Sequence, residues 1–192
     1  MNAIELMTYE HTFIRRMLTV MRNFSYQLMM DPAMDVSDAP KMIEFVRQYA
    51  DKHHHGKEED LLFNRMVDHL GSAAEKLVKH GMLVEHDLGR LHMKLMEDGI
   101  EAFQAGDDTA RLDIIGNAIA YSQLLDRHIS KEDDMVYPFS WRHFEDDMIE
   151  LINRETEAFE EKASAEGVQD HYLKLLEDME AKYNKSESER ND

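Results

Sequence analysis

The sequence predicts an all-α protein, an up-down-up-down four-helix bundle with additional C-terminal helices. Two observations lead to this prediction. Apolar residues recur three and four positions apart through most of the chain, which is the period of a helix with one buried face. The composition includes 15 methionines but only 3 prolines and 8 glycines, and methionine is a good helix former that fills gaps between helices.

The charge balance and the absence of cysteine limit the function. The chain has 22 basic and 40 acidic residues, a formal charge of -18, which disfavours nucleic acid and anionic membranes as partners. Without cysteine there is no disulfide and no thiolate ligand, so a bound metal takes nitrogen and oxygen donors. No apolar run resembles a signal peptide or is long enough to span a bilayer. We therefore expect a cytoplasmic protein.

The first helix is expected over about residues 2–30, up to the loop "DPAMD". One polar residue, His11, interrupts its apolar stripe and is expected to place an imidazole on the buried face. The apolar members of the stripe are Ile4, Met7, Ile14, Leu18, Met21 and Leu28.

The second helix is expected over about residues 40–69 and contains three consecutive histidines in "DKHHHGKEEDLLF". Successive side chains of an α-helix point about 100° apart. His54 therefore continues the buried stripe, whereas His53 and His55 are expected on the surface. The whole stripe comprises Ile43, Val46, Ala50, His54, Glu58, Leu61 and Leu62.

Two more helices follow. Gly71 is expected to stop the second helix, and Ser72 with Glu75 forms a capping box for the third. Pro138 is expected to end the fourth helix. The buried face of the third helix comprises Val78, Met82, His86, Gly89, Met93, Met96, Ile100 and Phe103. That of the fourth comprises Ile114, Ala118, Tyr121, Leu125, His128, Glu132 and Met135.

The chain is expected to divide into a bundle and an extension. Residues 1–140 form the four-helix bundle, and residues 141–183 form a C-terminal helical extension packed on it, with a break near Gly167. Residues 184–192, "NKSESERND", have the polar composition of a mobile tail.

The polar breaks in the four stripes fall at about one level of the expected bundle, each roughly 18 to 28 Å along its helix from a turn. Four imidazoles and two carboxylates buried between apolar layers are costly without a counter-charge, which two divalent or trivalent cations supply. Iron, zinc and manganese suit such donors. Two carboxylates stay open as alternatives: Glu59 in place of Glu58, and Asp133 in place of or beside Glu132.

Four motifs resemble the hemerythrin-like, or HHE cation-binding, protein family. They are "YEHTFI", "HHGKEEDLLF", "EHDLGR" and "HISKEDDMVYP", one in each expected helix and in the family's order. The resemblance covers roughly residues 4–140. It implies a non-haem centre of two iron ions, bridged by both glutamates and by a solvent-derived oxygen. The ligands that it implies are His11, His54, Glu58, His86, His128 and Glu132.

The resemblance also implies a function and shows two departures. Oxygen-carrying hemerythrins have a second histidine one turn after the ligand of helix three, where this chain has Arg90, and they end the site with an aspartate at the position of Asp133. With one imidazole fewer, redox turnover is favoured over reversible oxygen carriage. The expected function is binding of oxygen, peroxide or nitric oxide for sensing, storage or redox protection.

Two other functions use the same centre. One is a regulatory domain that responds to iron or oxygen through its C-terminal helices, with a homodimer or another protein as partner. The other is an enzyme that reduces peroxide or nitric oxide. A ferritin-like oxidase is disfavoured, because that architecture uses Glu-x-x-His pairs and the chain contains none.

Overall fold

The computed structural model describes residues 1–31 and 33–184. Within those residues the chain is all-helical and has no strand, which confirms the all-α class. The predicted mobile tail lies outside the described residues from position 185 onward. We number the six helices α1 (Ala3–Met30), α2 (residues 39–69), α3 (residues 71–104), α4 (residues 111–143), α5 (Asp146–Ala165) and α6 (Val168–Tyr183).

Local signals fix the ends of the helices. Asn2 caps α1 in a capping box with Glu5, in which each side chain accepts a hydrogen bond from the other residue's backbone N–H. Such a box satisfies two amide groups that otherwise lack a partner at the helix start. Gly71 and Gly167 have positive φ angles of 75° and 73°, which glycine adopts without steric cost. They separate α2 from α3 and α5 from α6.

Helices α2, α3 and α4 contain wide turns in which an N–H group bonds to the carbonyl five residues earlier. Gly56 bonds in this way to Asp51, and Tyr137 to Glu132. Each wide turn places an extra residue in the helix and shifts the side chains that follow it, a distortion often found at functional sites. The wide segments are Val46–His55, Glu58–Phe63, Val78–Met82 and Glu132–Val136.

The prediction that Pro138 ends the fourth helix is wrong, because α4 continues to His143. In a regular α-helix the proline ring collides with the carbonyl four residues earlier, and the wide turn Glu132–Val136 lies directly before it. The same turn rotates Met135 out of the buried stripe, so that this side chain is 52% exposed. The helix ends at Phe144, whose ψ of 145° is extended.

The prediction that His53 and His55 lie on the surface is also wrong, since they are only 3% and 5% exposed. Neighbouring helices cover both rings. The His53 ring lies 5.6 Å from that of Phe159 in α5. The His55 ring stacks on that of His86 in α3, with 3.7 Å between centroids.

Consecutive helices from α1 to α4 pack on one another, and α4 packs on α1, so the four form a ring of contacts. Two apolar clusters lie on either side of the polar layer. One includes Ile14, Ala50, Met93 and Leu125, and the other includes Met7, Leu62, Met82, Val136 and Tyr137. Each of the four helices contributes one end to each cluster. In α1 and α3 the cluster of Met7 comes first along the chain, and in α2 and α4 the cluster of Ile14 comes first, as expected if neighbouring helices run in opposite directions.

The two C-terminal helices pack against α1 and α2. Leu176, Met179 and Tyr183 of α6 join the larger apolar cluster, where the Tyr183 ring lies edge-on 5.5 Å from that of Phe24. Helix α5 lies along α2, to which it is joined by an ion pair of 2.6 Å between Arg65 and Glu155. None of the helices over residues 1–31 and 33–184 is long and apolar enough to cross a membrane.

Candidate metal centre

Seven polar side chains form a buried layer in the middle of the bundle. Each is at most 5% exposed. One comes from α1, three from α2, one from α3 and two from α4. They are His11, His54, His55, Glu58, His86, His128 and Glu132. The structure therefore brings together all six residues expected from the sequence and adds His55.

The layer divides into two groups of possible ligands. Within each group, one donor atom per residue lies within 4.8 Å of those of the others. The first group is His11, His54, Glu58 and Glu132, and the second is His55, Glu58, His86 and His128. Glu58 belongs to both, so the two groups meet at a shared carboxylate.

Both glutamates direct their two oxygens toward different imidazoles. Glu58 Oε1 lies 3.9 Å from His54 Nε2, whereas its Oε2 lies 3.5 Å from His86 Nε2. Glu132 Oε2 lies 3.3 Å from His11 Nε2, and its Oε1 lies 2.9 Å from His128 Nε2. Each carboxylate thus spans the two groups, the arrangement of a ligand that bridges two cations.

Each imidazole of the layer is held from outside by a carboxylate at its Nδ1 atom. A carboxylate only accepts hydrogen bonds, so Nδ1 carries the proton and the other ring nitrogen is left for a ligand role. This is the usual outer support of a metal-bound histidine. The acceptors are Asp133 for His11 (2.7 Å), Glu10 for His54 (2.7 Å), Asp51 for His55 (3.3 Å), Glu59 for His86 (2.7 Å) and Glu85 for His128 (2.9 Å).

The alternative ligands Glu59 and Asp133 both belong to this outer set. They are 28% and 20% exposed and bind imidazole protons rather than facing the interior. Basic side chains hold them in turn, since Arg90 donates to Glu59 over 2.7 Å and Arg15 to Asp133 over 3.2 Å. Arg90 thus holds in place the carboxylate that accepts the Nδ1 proton of His86.

Burial and mutual repulsion shift the pKa values of the inner groups. Burial, together with the charge of Glu132, raises the pKa of Glu58 well above its usual value. Burial also opposes ionisation of Glu132, but the imidazoles of His128 and His11 hold its pKa well below the usual range. Burial lowers the pKa of His54 to about 4. Bound cations remove the cost of burying these groups together.

Several nitrogen and oxygen atoms of the layer have lone pairs that a cation could accept and that no hydrogen bond uses. Within the part of the chain that the structure describes, His54 Nε2, Glu58 Oε2 and both oxygens of Glu132 are buried without a hydrogen-bond partner. His86 Nε2 and His128 Nε2 face each other at 3.0 Å, although both rings give their Nδ1 protons outward. Two lone pairs at this separation repel unless a cation or a proton lies between them.

The family comparison agrees with this geometry. The family model described as the hemerythrin HHE cation binding domain matches residues 2–140. The chain belongs to this family. The resemblance inferred from the motifs is thereby confirmed, and domains of this family bind metal cations, typically iron. Neither the curated proteins nor the solved structures compared with the chain include a significant match.

Two residues of this HHE domain were missed by the sequence reasoning. His55 lies in the second group of possible ligands, and only its adjacency to His54 in "HHGKEE" hinted at this. Tyr137 is fully buried, donates a hydrogen bond from its hydroxyl to Glu58, and lies 3.4 Å from His11 Nε2. Tyr137 directly precedes Pro138 in the fourth motif, but its direction depends on the wide turn Glu132–Val136.

A cavity of about 320 Å³ reaches the layer from the surface between α2, α3 and α4. Its lining includes the buried residues His55, His86 and Tyr121 and the more exposed Arg47 and Arg90. Tyr121 packs against Gly89, where a Cβ atom would lie 3.3 Å from the ring. A glycine here therefore allows α3 and α4 to approach closely beside the cavity.

Proposed function

We propose that this HHE domain is a non-haem di-iron protein that binds oxygen or a related small oxidant, peroxide or nitric oxide. It would serve sensing, storage or redox protection. The observation that carries the proposal is the pair of buried glutamates whose oxygens face two different groups of imidazoles. Such an arrangement supports a site for two cations rather than for one.

The proposed ligands divide unequally between the two cations. His11 and His54 would hold one, and His55, His86 and His128 the other, with Glu58 and Glu132 bridging both. Five imidazoles and two carboxylates suit iron, and zinc or manganese accept the same donors. The first cation would have fewer protein donors than the second, so an exogenous ligand would find a free place at the first. Two irons bound here supply a centre that exchanges electrons with a small oxidant.

The protein's own groups prepare this centre. The outer carboxylates fix each ring with its Nδ1 proton outward, which orients the rings and makes them stronger donors. The Tyr137 hydroxyl donates to Glu58, so it fixes one bridging carboxylate. The apolar clusters on both sides of the layer exclude water, and the cavity lined by His55 and His86 brings a small molecule to the layer on the side of the second cation.

Iron loading tests this proposal. We expect the full chain, prepared in iron-rich medium, to contain about two irons and to show oxo-to-iron charge-transfer absorption after oxidation. His54→Ala should lose iron, whereas His69→Ala, which changes an exposed histidine of the same helix, should load normally. Normal loading of His54→Ala, or a wild-type chain that takes up no iron, would contradict the proposal.

Two other candidate functions rest on single observations. The cavity at His55 and His86 favours an enzyme that reduces peroxide or nitric oxide, which steady consumption of either compound with a reductant would support. The contact of Glu160 in α5 with Lys57, which also contacts the Glu10 carboxylate beside His54, favours a regulatory domain. Such a domain requires a change in oligomeric state or in partner binding on metal loading. A cytoplasmic location and the absence of a nucleic-acid partner stay predictions from the composition.

A further inference from the structure

Lys57 is a fully buried lysine (0% exposed) three residues after His54. Its ammonium group contacts the carboxylates of Glu10 in α1 and Glu160 in α5, and lies 3.2 Å from His53 Nε2. It also lies 5.7 Å from the centre of the Phe159 ring. Lysine is almost never fully buried unless its charge is paired, and here the ammonium group is paired with two carboxylates.

Glu10 connects this lysine to the proposed metal centre. The side chain is 3% exposed and uses both oxygens. Oε2 accepts the Nδ1 proton of His54 over 2.7 Å, and Oε1 accepts from Lys57 and lies 3.1 Å from His53 Nε2. Burial alone would raise the pKa of Glu10, but the hydrogen bonds with His53 and His54 and the charge of Lys57 hold it far below its usual value.

Glu160 brings the C-terminal extension into the same network. Its Oε1 contacts Lys57, and its Oε2 accepts a hydrogen bond of 2.9 Å from Gln169 in α6. The buried ammonium is therefore shared between a carboxylate of the bundle and one of the extension. Removing one partner of a buried charge leaves that charge partly uncompensated, so a change at Glu160 acts on an ammonium group that also contacts Glu10.

We propose that Lys57 and Glu160 are positioning residues for the metal centre, acting on the His54 ring through the Glu10 carboxylate. The extension is then part of the machinery that binds metal at the first cation site, formed by His11 and His54. This inference rests on the proposed metal site and goes beyond it, because residues 141–183 lie outside the matched family domain. Outer-shell carboxylates of this kind typically change metal affinity by about 10- to 100-fold.

The test compares Glu160→Gln with Glu155→Gln in the full chain. Glu155 is a matched control, because it pairs α5 with Arg65 of α2 over 2.6 Å but has no contact with Glu10 or Lys57. In a titration with cobalt(II), we expect Glu160→Gln to weaken one of two binding steps by about 10-fold or more, and Glu155→Gln to leave both unchanged. Glu160→Asp, which keeps the charge, should recover most of the affinity.

A second measurement uses the metal-free protein. The His54 Nδ1–H signal in ¹⁵N NMR, shifted downfield by its bond to Glu10, should move in Glu160→Gln and stay in Glu155→Gln. Wild-type protein that binds no cobalt or iron would overturn the proposed function, while the NMR signal would still decide the positioning role. Equal affinities together with an unmoved His54 signal in Glu160→Gln would overturn the inference and leave the metal site intact.

Discussion

The five imidazoles of the buried layer each have one nitrogen that faces inward and one that is held from outside. His86 shows the pattern, since its Nδ1 atom donates to Glu59 while its Nε2 atom lies 3.5 Å from Glu58. Two adjacent glutamates of one helix therefore have different roles. The sequence left Glu58 and Glu59 open as alternatives, and the geometry gives each a separate position.

His55 provides a prediction for the second group of ligands. His55→Ala removes an imidazole from the group that contains His86 and His128. We therefore expect one of the two metal-binding steps to weaken by more than the roughly 10- to 100-fold that loss of an outer partner causes. Isothermal titration with cobalt(II) measures this. His80→Ala, at an exposed histidine of α3, is the control, and identical isotherms for the two variants would remove His55 from the ligand set.

Loss of the hydroxyl group should change the free energy of unfolding in opposite directions at two buried tyrosines. In the described part of the chain the Tyr121 hydroxyl has no hydrogen-bond partner, so Tyr121→Phe should raise the free energy of unfolding by about 1 kcal/mol. Tyr137 donates to Glu58, and Tyr137→Phe should lower it by about 1–3 kcal/mol. Urea denaturation of the metal-free protein measures both, and a shift of the same sign in both would count against these hydrogen-bond assignments.

Whole helices were easier to predict than the direction of some side chains within them. The apolar stripes gave the six helical segments, and the glycines at 71 and 167 gave two of the breaks. His53, His55 and Met135 were misplaced because the prediction assumed a constant 100° step, which the wide turns interrupt. The burial of His53 also requires Phe159 from a distant helix, and no local pattern contains that contact.

Replacement by alanine should change the free energy of unfolding in opposite directions at two glycines within helices. At Gly99 of α3 a Cβ atom would lie 3.1 Å from Asp113 Cβ and 3.2 Å from the backbone nitrogen of Ile114. Gly99→Ala should therefore lower the free energy of unfolding by about 1–3 kcal/mol.

Gly116 of α4 is the matched control, since a Cβ atom there meets no described atom within 4 Å. Gly116→Ala should raise the free energy of unfolding by about 0.5–1 kcal/mol, because alanine loses less conformational entropy in a helix. Urea denaturation measures both variants. Equal effects at the two positions would mean that α3 and α4 are not in close contact at Gly99.

Asp38, which precedes α2, should make the attachment of α6 dependent on pH. It accepts hydrogen bonds from Lys182 and from the Tyr183 hydroxyl at 2.9 Å. Burial opposes ionisation, but these bonds and that of Lys41 lower the pKa of Asp38 from 3.8 to about 2. The carboxylate therefore stabilises the fold above pH 4, by about 2 kcal/mol, and this contribution disappears as the pH falls toward 2.

Comparison of wild type with Asp38→Asn measures this contribution. The free energy of unfolding should differ between the two proteins at pH 6, and the difference should shrink between pH 4 and pH 2. Urea denaturation across this pH range gives both curves. A difference that stays constant as the pH falls would show that Asp38 is not held ionised by these contacts.

At the scale of the molecule, the fold combines an apolar bundle with a charged layer that is costly without cations. The buried layer could be predicted from the sequence, because six polar residues interrupted the apolar stripes at one level of the bundle. It did not contain the division of the layer into two groups, which depends on the rotation of α2 and on the carboxylates behind each ring. Nor did it indicate that α5 reaches Lys57, since that contact joins residues 103 positions apart.

An anomalous difference map, recorded at the iron absorption edge from crystals of the iron-loaded full chain, tests the central claim most directly. The account predicts two iron peaks within the buried layer, both in contact with Glu58 and Glu132, one beside His11 and His54 and the other beside His55, His86 and His128. A map with no iron peak between these two glutamates, or with a single iron held by one group alone, would contradict it.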